Sequence, residues 1–170
     1  GITTGSDGSI YITGITGGEL DGQTYNGGYS DAFISKYNPN GTKEWTRLLG
    51  SSEEDIANGI STRSDGSIYI AGSTFGDLDG QTNSGSEDAF ISIFNPDGTK
   101  EWTRLFGFEN SSGNGITTGS DGSIYIAGGS GSYSDAFLSK LTEQSAPIVS
   151  PPISINQEPT DISLSSTSFN

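Results

Sequence analysis

One twelve-residue motif occurs three times in this chain, and that repetition constrains the fold more than any other feature. Gly1-Ile2-Thr3-Thr4-Gly5-Ser6-Asp7-Gly8-Ser9-Ile10-Tyr11-Ile12 returns with small changes at 59–70 and at 115–126. Asp31-Ala32-Phe33 returns as Asp88-Ala89-Phe90 and Asp135-Ala136-Phe137. Glu44-Trp45-Thr46-Arg47-Leu48 returns as Glu101-Trp102-Thr103-Arg104-Leu105. A period of this kind marks an array in which each unit buries its apolar surface against its neighbours.

Within a repeat the apolar residues alternate with a period of two, which predicts strands. The middle copy predicts four, at 56–62, 67–73, 88–94 and 99–106. Ser64-Asp65-Gly66-Ser67 and Asn95-Pro96-Asp97-Gly98 supply tight turns, because Gly accepts positive φ and Pro presets the second turn position. The strand at 88–94 is apolar on both faces, with Ala89, Ile91 and Ile93 on one and Phe90 and Phe94 on the other. Such a strand has to lie between two packed layers. No segment carries a helical apolar period. The fold class is therefore all-β: tandem four-stranded antiparallel blades, about two and a half of them, forming an incomplete β-propeller. A parallel β-helix is the rival, but its repeats are shorter and lack such regular hairpin turns.

The copies are expected at about 1–50, 51–107 and 108–141. Propellers close with about 4–8 blades, so an apolar blade face is expected to stay uncovered at each end. The chain opens inside a repeat, which suggests a segment of something longer. Residues 142–158 contain Pro147, Pro151 and Pro152 and read as an extended linker. Residues 159–170 alternate like a single strand and have no partner in sequence.

Twenty-one acidic residues oppose seven basic ones, for a net charge of −14. That balance argues against nucleic acid and against an anionic membrane surface, and favours cations or simple solubility. No run is long and apolar enough to insert in a bilayer. Cysteine and histidine are both absent. Their absence removes disulfides, the commonest zinc ligands, Cys nucleophiles and the usual general base.

The pattern Asp-Ala-Phe-Ile-Ser-Lys-Tyr-Asn-Pro-x-Gly-x-x-x-Trp, then an acidic Gly/Ser stretch and Asp-Gly-Ser-Ile-Tyr-Ile-x-Gly, resembles the bacterial β-propeller repeats called SBBP repeats. The resemblance covers about 1–141. The third copy departs from it, running only from Gly128 to Asp135 where the others have a long loop. The tail at 159–170 resembles the opening strand of a cadherin-like or immunoglobulin-like module. Together these resemblances imply an extracellular or cell-surface mosaic protein with a binding, scaffolding or adhesion role, and no known reaction.

Candidate sites follow from the acidic residues. Glu19-Leu20-Asp21-Gly22 and Asp77-Leu78-Asp79-Gly80 place carboxylates two residues apart before a Gly, as at the start of a calcium loop. Asp21, Asp77 and Asp79 are the metal-ligand candidates, with Ca²⁺ the cofactor they would bind; the alternative is a solvated Asp-Gly turn. Asp31, Asp88 and Asp135 would either ring one propeller mouth or cap loop amides. Asp7, Asp65 and Asp121 fit turn chemistry. Trp45 and Trp102 could stack on a sugar, but their place in the fourth strand favours blade packing. Tyr11, Tyr69 and Tyr125 are read the same way. No catalytic residue is assigned, because a sialidase-like site needs converging arginines and only Arg47, Arg63 and Arg104 exist. Three readings remain. The first is a non-enzymatic interaction module presenting loops to a protein or glycan, alongside the remaining blades of its parent chain. The second is a calcium-binding adhesion module. The third is a fragment of a glycan-active propeller enzyme with its catalytic residues elsewhere.

Overall fold

The computed structural model describes residues 1–106, 110–131, 135–142 and 153–154. The described residues form twelve strands and no helix: β1 (Ile2–Thr4), β2 (Ile10–Thr16), β3 (Asp31–Tyr37), β4 (Lys43–Leu49), β5 (Asp55–Thr62), β6 (Ile68–Thr74), β7 (Asp88–Phe94), β8 (Lys100–Phe106), β9 (Ser112–Thr118), β10 (Ile124–Ser130), β11 (Asp135–Leu141) and β12 (Ile153–Ser154). They make three antiparallel four-stranded meanders, β1–β4, β5–β8 and β9–β12. The four strands predicted in the middle copy are β5 to β8. In the third blade, the two-residue β12 pairs with β11 at Phe137 and Leu138. The rest of the segment read as a linker and the module strand at 159–170 lie outside the described residues.

The turn residues act as their chemistry requires. Asp7, Asp65 and Asp121 each accept the amide of the residue two further on, Ser9, Ser67 and Ser123, at 2.9–3.0 Å. Gly8, Gly66 and Gly122 follow them with positive φ. These bonds favour the ionised form. The Ser9 and Ser123 amides hold Asp7 and Asp121 below the usual carboxylate range. The Arg63 guanidinium, aided by Ser67, lowers Asp65 to about 2.

The blades stack face to face, with β5 lying on β1, β2 and β3, and β9 lying on β5, β6 and β7. Two apolar layers result. The first joins Tyr11, Ala32 and Ile34 of blade one to Ile68, Ile70, Phe90 and Phe94 of blade two. The second joins Tyr69, Ala89, Ile91 and Ile93 of blade two to Ile124, Ile126 and Phe137 of blade three. Every residue of β6 and β7 is buried, so the two-faced apolar pattern has the structural meaning read from it. The end blades differ: Ile2 and Ile15 in blade one and Leu138 in blade three are exposed.

A hydrogen bond repeats along the inner strands. The Thr62 hydroxyl donates to the Thr4 carbonyl of the preceding blade, and Thr118 donates likewise to Thr62, both at 2.9 Å. Within each of the first two blades a Ser–Thr hydroxyl pair is buried between the third and fourth strands: Ser35–Thr46 at 2.8 Å and Ser92–Thr103 at 2.6 Å.

Candidate functional site

The long loops between second and third strands hold the metal-ligand candidates, and they form straps over the outer strands. Leu20 bridges Gln23, and Leu78 bridges Gln81. Asp21 and Asp79 occupy the left-handed region at φ 52° and 53°, followed by Gly22 and Gly80. Asn and Asp tolerate that conformation best among non-glycine residues. Leu78 is buried in the first apolar layer and anchors the second strap. Asp21 accepts from Lys43 and, at 2.6 Å, from the Thr46 hydroxyl. Asp79 makes the equivalent bonds with Lys100 and Thr103. Gln81 accepts the Leu105 amide at 3.1 Å and donates to the Thr103 carbonyl. The strap therefore occupies backbone groups along the edge of β8, which would otherwise be open for pairing. Asp77 stands apart, exposed, accepting the Asn83 amide at 2.8 Å. Among the described residues no three acidic side chains converge in a metal-holding group.

The aromatic candidates join blades. Trp45 packs against the first apolar layer, and its Nε1–H donates to the Pro96 carbonyl at 3.2 Å. Arg47 stacks 5.5 Å from the Trp45 ring and donates from Nε to the Gly98 carbonyl at 3.0 Å. A side chain at Gly98 would meet Trp45 Cδ2 at 2.9 Å, and its φ of +83° independently favours glycine. The Asn95-Pro96-Asp97-Gly98 turn of blade two thus docks on the Trp–Arg pair of blade one. Arg104 stacks 5.4 Å from Trp102 in the same way, but its buried Nε has no hydrogen-bond partner among the described residues. Tyr11 and Tyr69 are buried. Tyr125 is half-buried with Lys140 5.4 Å from its ring. The three arginines do not converge: Arg47 and Arg104 lie on their own tryptophans, and Arg63 pairs with Asp65.

A polar groove of about 650 Å³ lies between two hairpin turns, lined by Arg63, Asp65, Asp121 and Thr142 among others. Its carboxylates are already engaged, Asp65 with Arg63 and Asp121 with Lys140.

The least satisfied polar groups sit at the junction between blades one and two. Asp31 and Asp55 are both completely buried, at 0 % exposure. Asp31 accepts the Asn26 amide at 2.8 Å through Oδ2, the loop-amide role foreseen as its alternative. Asp55 accepts the Ser51 amide at 2.5 Å and the Ser51 hydroxyl at 2.9 Å through Oδ2. The Oδ1 atom of each carboxylate is buried without a hydrogen-bond partner among the described residues. The two residues are brought together by the Asp55 amide, which donates to the Ser30 carbonyl at 2.7 Å. The Asp31 carboxylate lies against Gly50, where any Cβ would overlap it. Burial, reinforced by the nearby Asp31 charge, raises the Asp55 carboxyl above its ordinary range despite opposing interactions with Ser51 and the Thr74 hydroxyl. Asp88 has no such difficulty: both of its oxygens are engaged by Ser84, with the amide at 2.7 Å and the hydroxyl at 3.0–3.1 Å. Asp135 is exposed. Sequence reading singled out Asp31 but not Asp55, whose place beside it depends on one blade folding onto the next.

The architecture and the docked turns define a class of protein built from propeller blades, and comparison with known proteins agrees. Residues 44–79, from the outer strand of blade one to the strap of blade two, match the SBBP beta-propeller repeat family. Over 139 residues the chain is 32 % identical to "Regulatory protein FlaEY" of Caulobacter vibrioides, an alignment covering 74 % of this chain. The chain spans only 15 % of that relative's length.

Proposed function

We propose that this chain is a non-enzymatic interaction module of a larger secreted or cell-surface bacterial protein, presenting its loop rim to a protein or glycan. The carrying observation is the rim itself. Tyr29 is 80 % exposed and Phe75 is 39 % exposed, both on loops held by hydrogen bonds at or near these residues. Aromatic side chains on an ordered support bind with little loss of conformational entropy. The absence of converging arginines among the described residues fits binding better than catalysis. The relative's description as a regulatory protein is in keeping with such a role. Among the described residues no helix is long and apolar enough to cross a membrane.

The test is a screen of the chain against glycan and surface-protein arrays, repeated with Tyr29→Ser/Phe75→Ser. This reading expects binding that falls at least tenfold in the double variant with an unchanged melting temperature. Binding indifferent to both aromatics, or turnover of a glycan, would overturn it. Immunolabelling of intact cells tests the surface location, and labelling that requires permeabilisation would contradict it.

A further inference from the structure

Asp31 and Asp55 each bury one carboxylate oxygen that no described residue partners. Burying one ionised carboxylate oxygen without a partner is costly, and two adjacent ones repel each other as well. Native structures rarely leave such groups unsatisfied, and a missing ion or water is a standard reason when they do. The second junction shows that the fold does not require the arrangement. There the Ser111 amide donates to the Glu87 carbonyl at 2.9 Å, the same bond that Asp55 makes with Ser30. Ser111 therefore takes the place of Asp55, and its hydroxyl is fully used, accepting the Ala89 amide at 3.0 Å and donating to the Phe106 carbonyl at 2.8 Å. An acid has been placed at the first junction where a serine suffices at the second.

We propose that the first blade junction is a divalent-cation site of calcium type, with Asp31 Oδ1 and Asp55 Oδ1 as its charged ligands. Hard carboxylate oxygens suit Ca²⁺, and in a chain with neither Cys nor His no softer ligand competes. Two carboxylates make a weak site, completed by backbone carbonyls and water, with affinity in the 10⁻⁴–10⁻³ M range typical of extracellular modules. The ion would bridge the start of β3 to the start of β5, and so clamp blade one to blade two. Tyr25 stands close by, next in the chain to Asn26, whose amide donates to Asp31. This site is separate from the strap carboxylates Asp21, Asp77 and Asp79, and it goes beyond the rim-binding function proposed above.

The test is a thermal melt of the EDTA-treated chain with and without 10 mM CaCl₂ at matched ionic strength. We expect a rise of about 3–8 °C in the wild type, given an affinity in that range. The rise should vanish in Asp55→Asn and in Asp31→Asn, and persist in Asp21→Asn/Asp79→Asn. Terbium gives a second reading. Tb³⁺ emission excited through tyrosine should saturate, be displaced by Ca²⁺, and weaken in Tyr25→Phe while that variant keeps its calcium shift. Any of three results overturns the site: no calcium shift in the wild type, an equal shift in Asp55→Asn, or a shift abolished only by the strap variants.

Discussion

The two blade junctions are built on one plan and finished differently. Each has the same backbone bond at its loop crossing and the same threonine latch between inner strands. Each also has a Trp–Arg stack on the outer strand facing the next blade. At the first junction the stack receives the Asn95-Pro96-Asp97-Gly98 turn, whereas at the second the buried Arg104 Nε has no partner among the described residues. At the crossing the contrast reverses: Asp31 and Asp55 are left incomplete, while Asp88 and Ser111 are satisfied. The repeat thus preserves what folds a blade and varies what joins one blade to the next. Functional differences between blades should be sought at the junctions.

Several substitutions would sharpen or break this contrast. The largest effect should come from the apolar layer. Phe90→Ala should cost about 3–5 kcal/mol in chemical denaturation, as for other fully buried aromatics. Phe33→Ala, at the half-buried equivalent in blade one, should cost less than half as much; equal costs would mean that the end blade is covered in solution. Next, Ser111→Asp copies the first junction's acid into the second. It should destabilise the calcium-free chain by about 3 kcal/mol, because it buries a charge beside Asp88 and loses two hydrogen bonds. Arg47→Met should cost about 1.5–3 kcal/mol through its bond to Gly98, and Arg104→Met less, because it loses its stack on Trp102 but no such bond to a described residue.

The smallest effect is one of pH. Asp55 is held above the usual carboxylate range in the folded chain, so the folded state takes up a proton before the unfolded state does. The contribution of Asp55 to stability therefore rises as pH falls through its folded pKa toward the ordinary value of 3.8, and is flat above that window. Asp7, Asp65, Asp97 and Asp121 are lowered, so their contributions are lost only as pH falls below 3.8. Melts in EDTA from pH 7 down to pH 4.5 should show the wild type gaining on Asp55→Asn. A constant difference would contradict this assignment.

The architecture was legible because every level of the sequence agreed. Period-two alternation, Asp-Gly and Pro-Asp-Gly turns, and the two-faced strand at 88–94 all called for blades packed on both sides. The roles of Asp7, Asp65 and Asp121 were legible for the same reason, since a turn carboxylate acts within three residues. The straps were harder to read. Asp21 and Asp79 look like the start of a calcium loop in one dimension, yet each folds back onto a lysine and a threonine more than twenty residues away. Asp55 was not legible at all as a partner of Asp31. Its one sequence signal is a departure from symmetry: Asp55 stands where the third copy has Ser111, and the meaning of that exchange appears only once the blades are stacked.

The most direct measurement compares the unfolding free energies of the wild type and Asp55→Asn in EDTA. The asparagine keeps an oxygen for the Ser51 amide and removes one of the two buried charges. If the first junction holds two incomplete carboxylates, the variant should be more stable than the wild type by about 1–3 kcal/mol. A variant less stable than the wild type would show that the Asp55 charge is already compensated, and the contrast between the two junctions would fall.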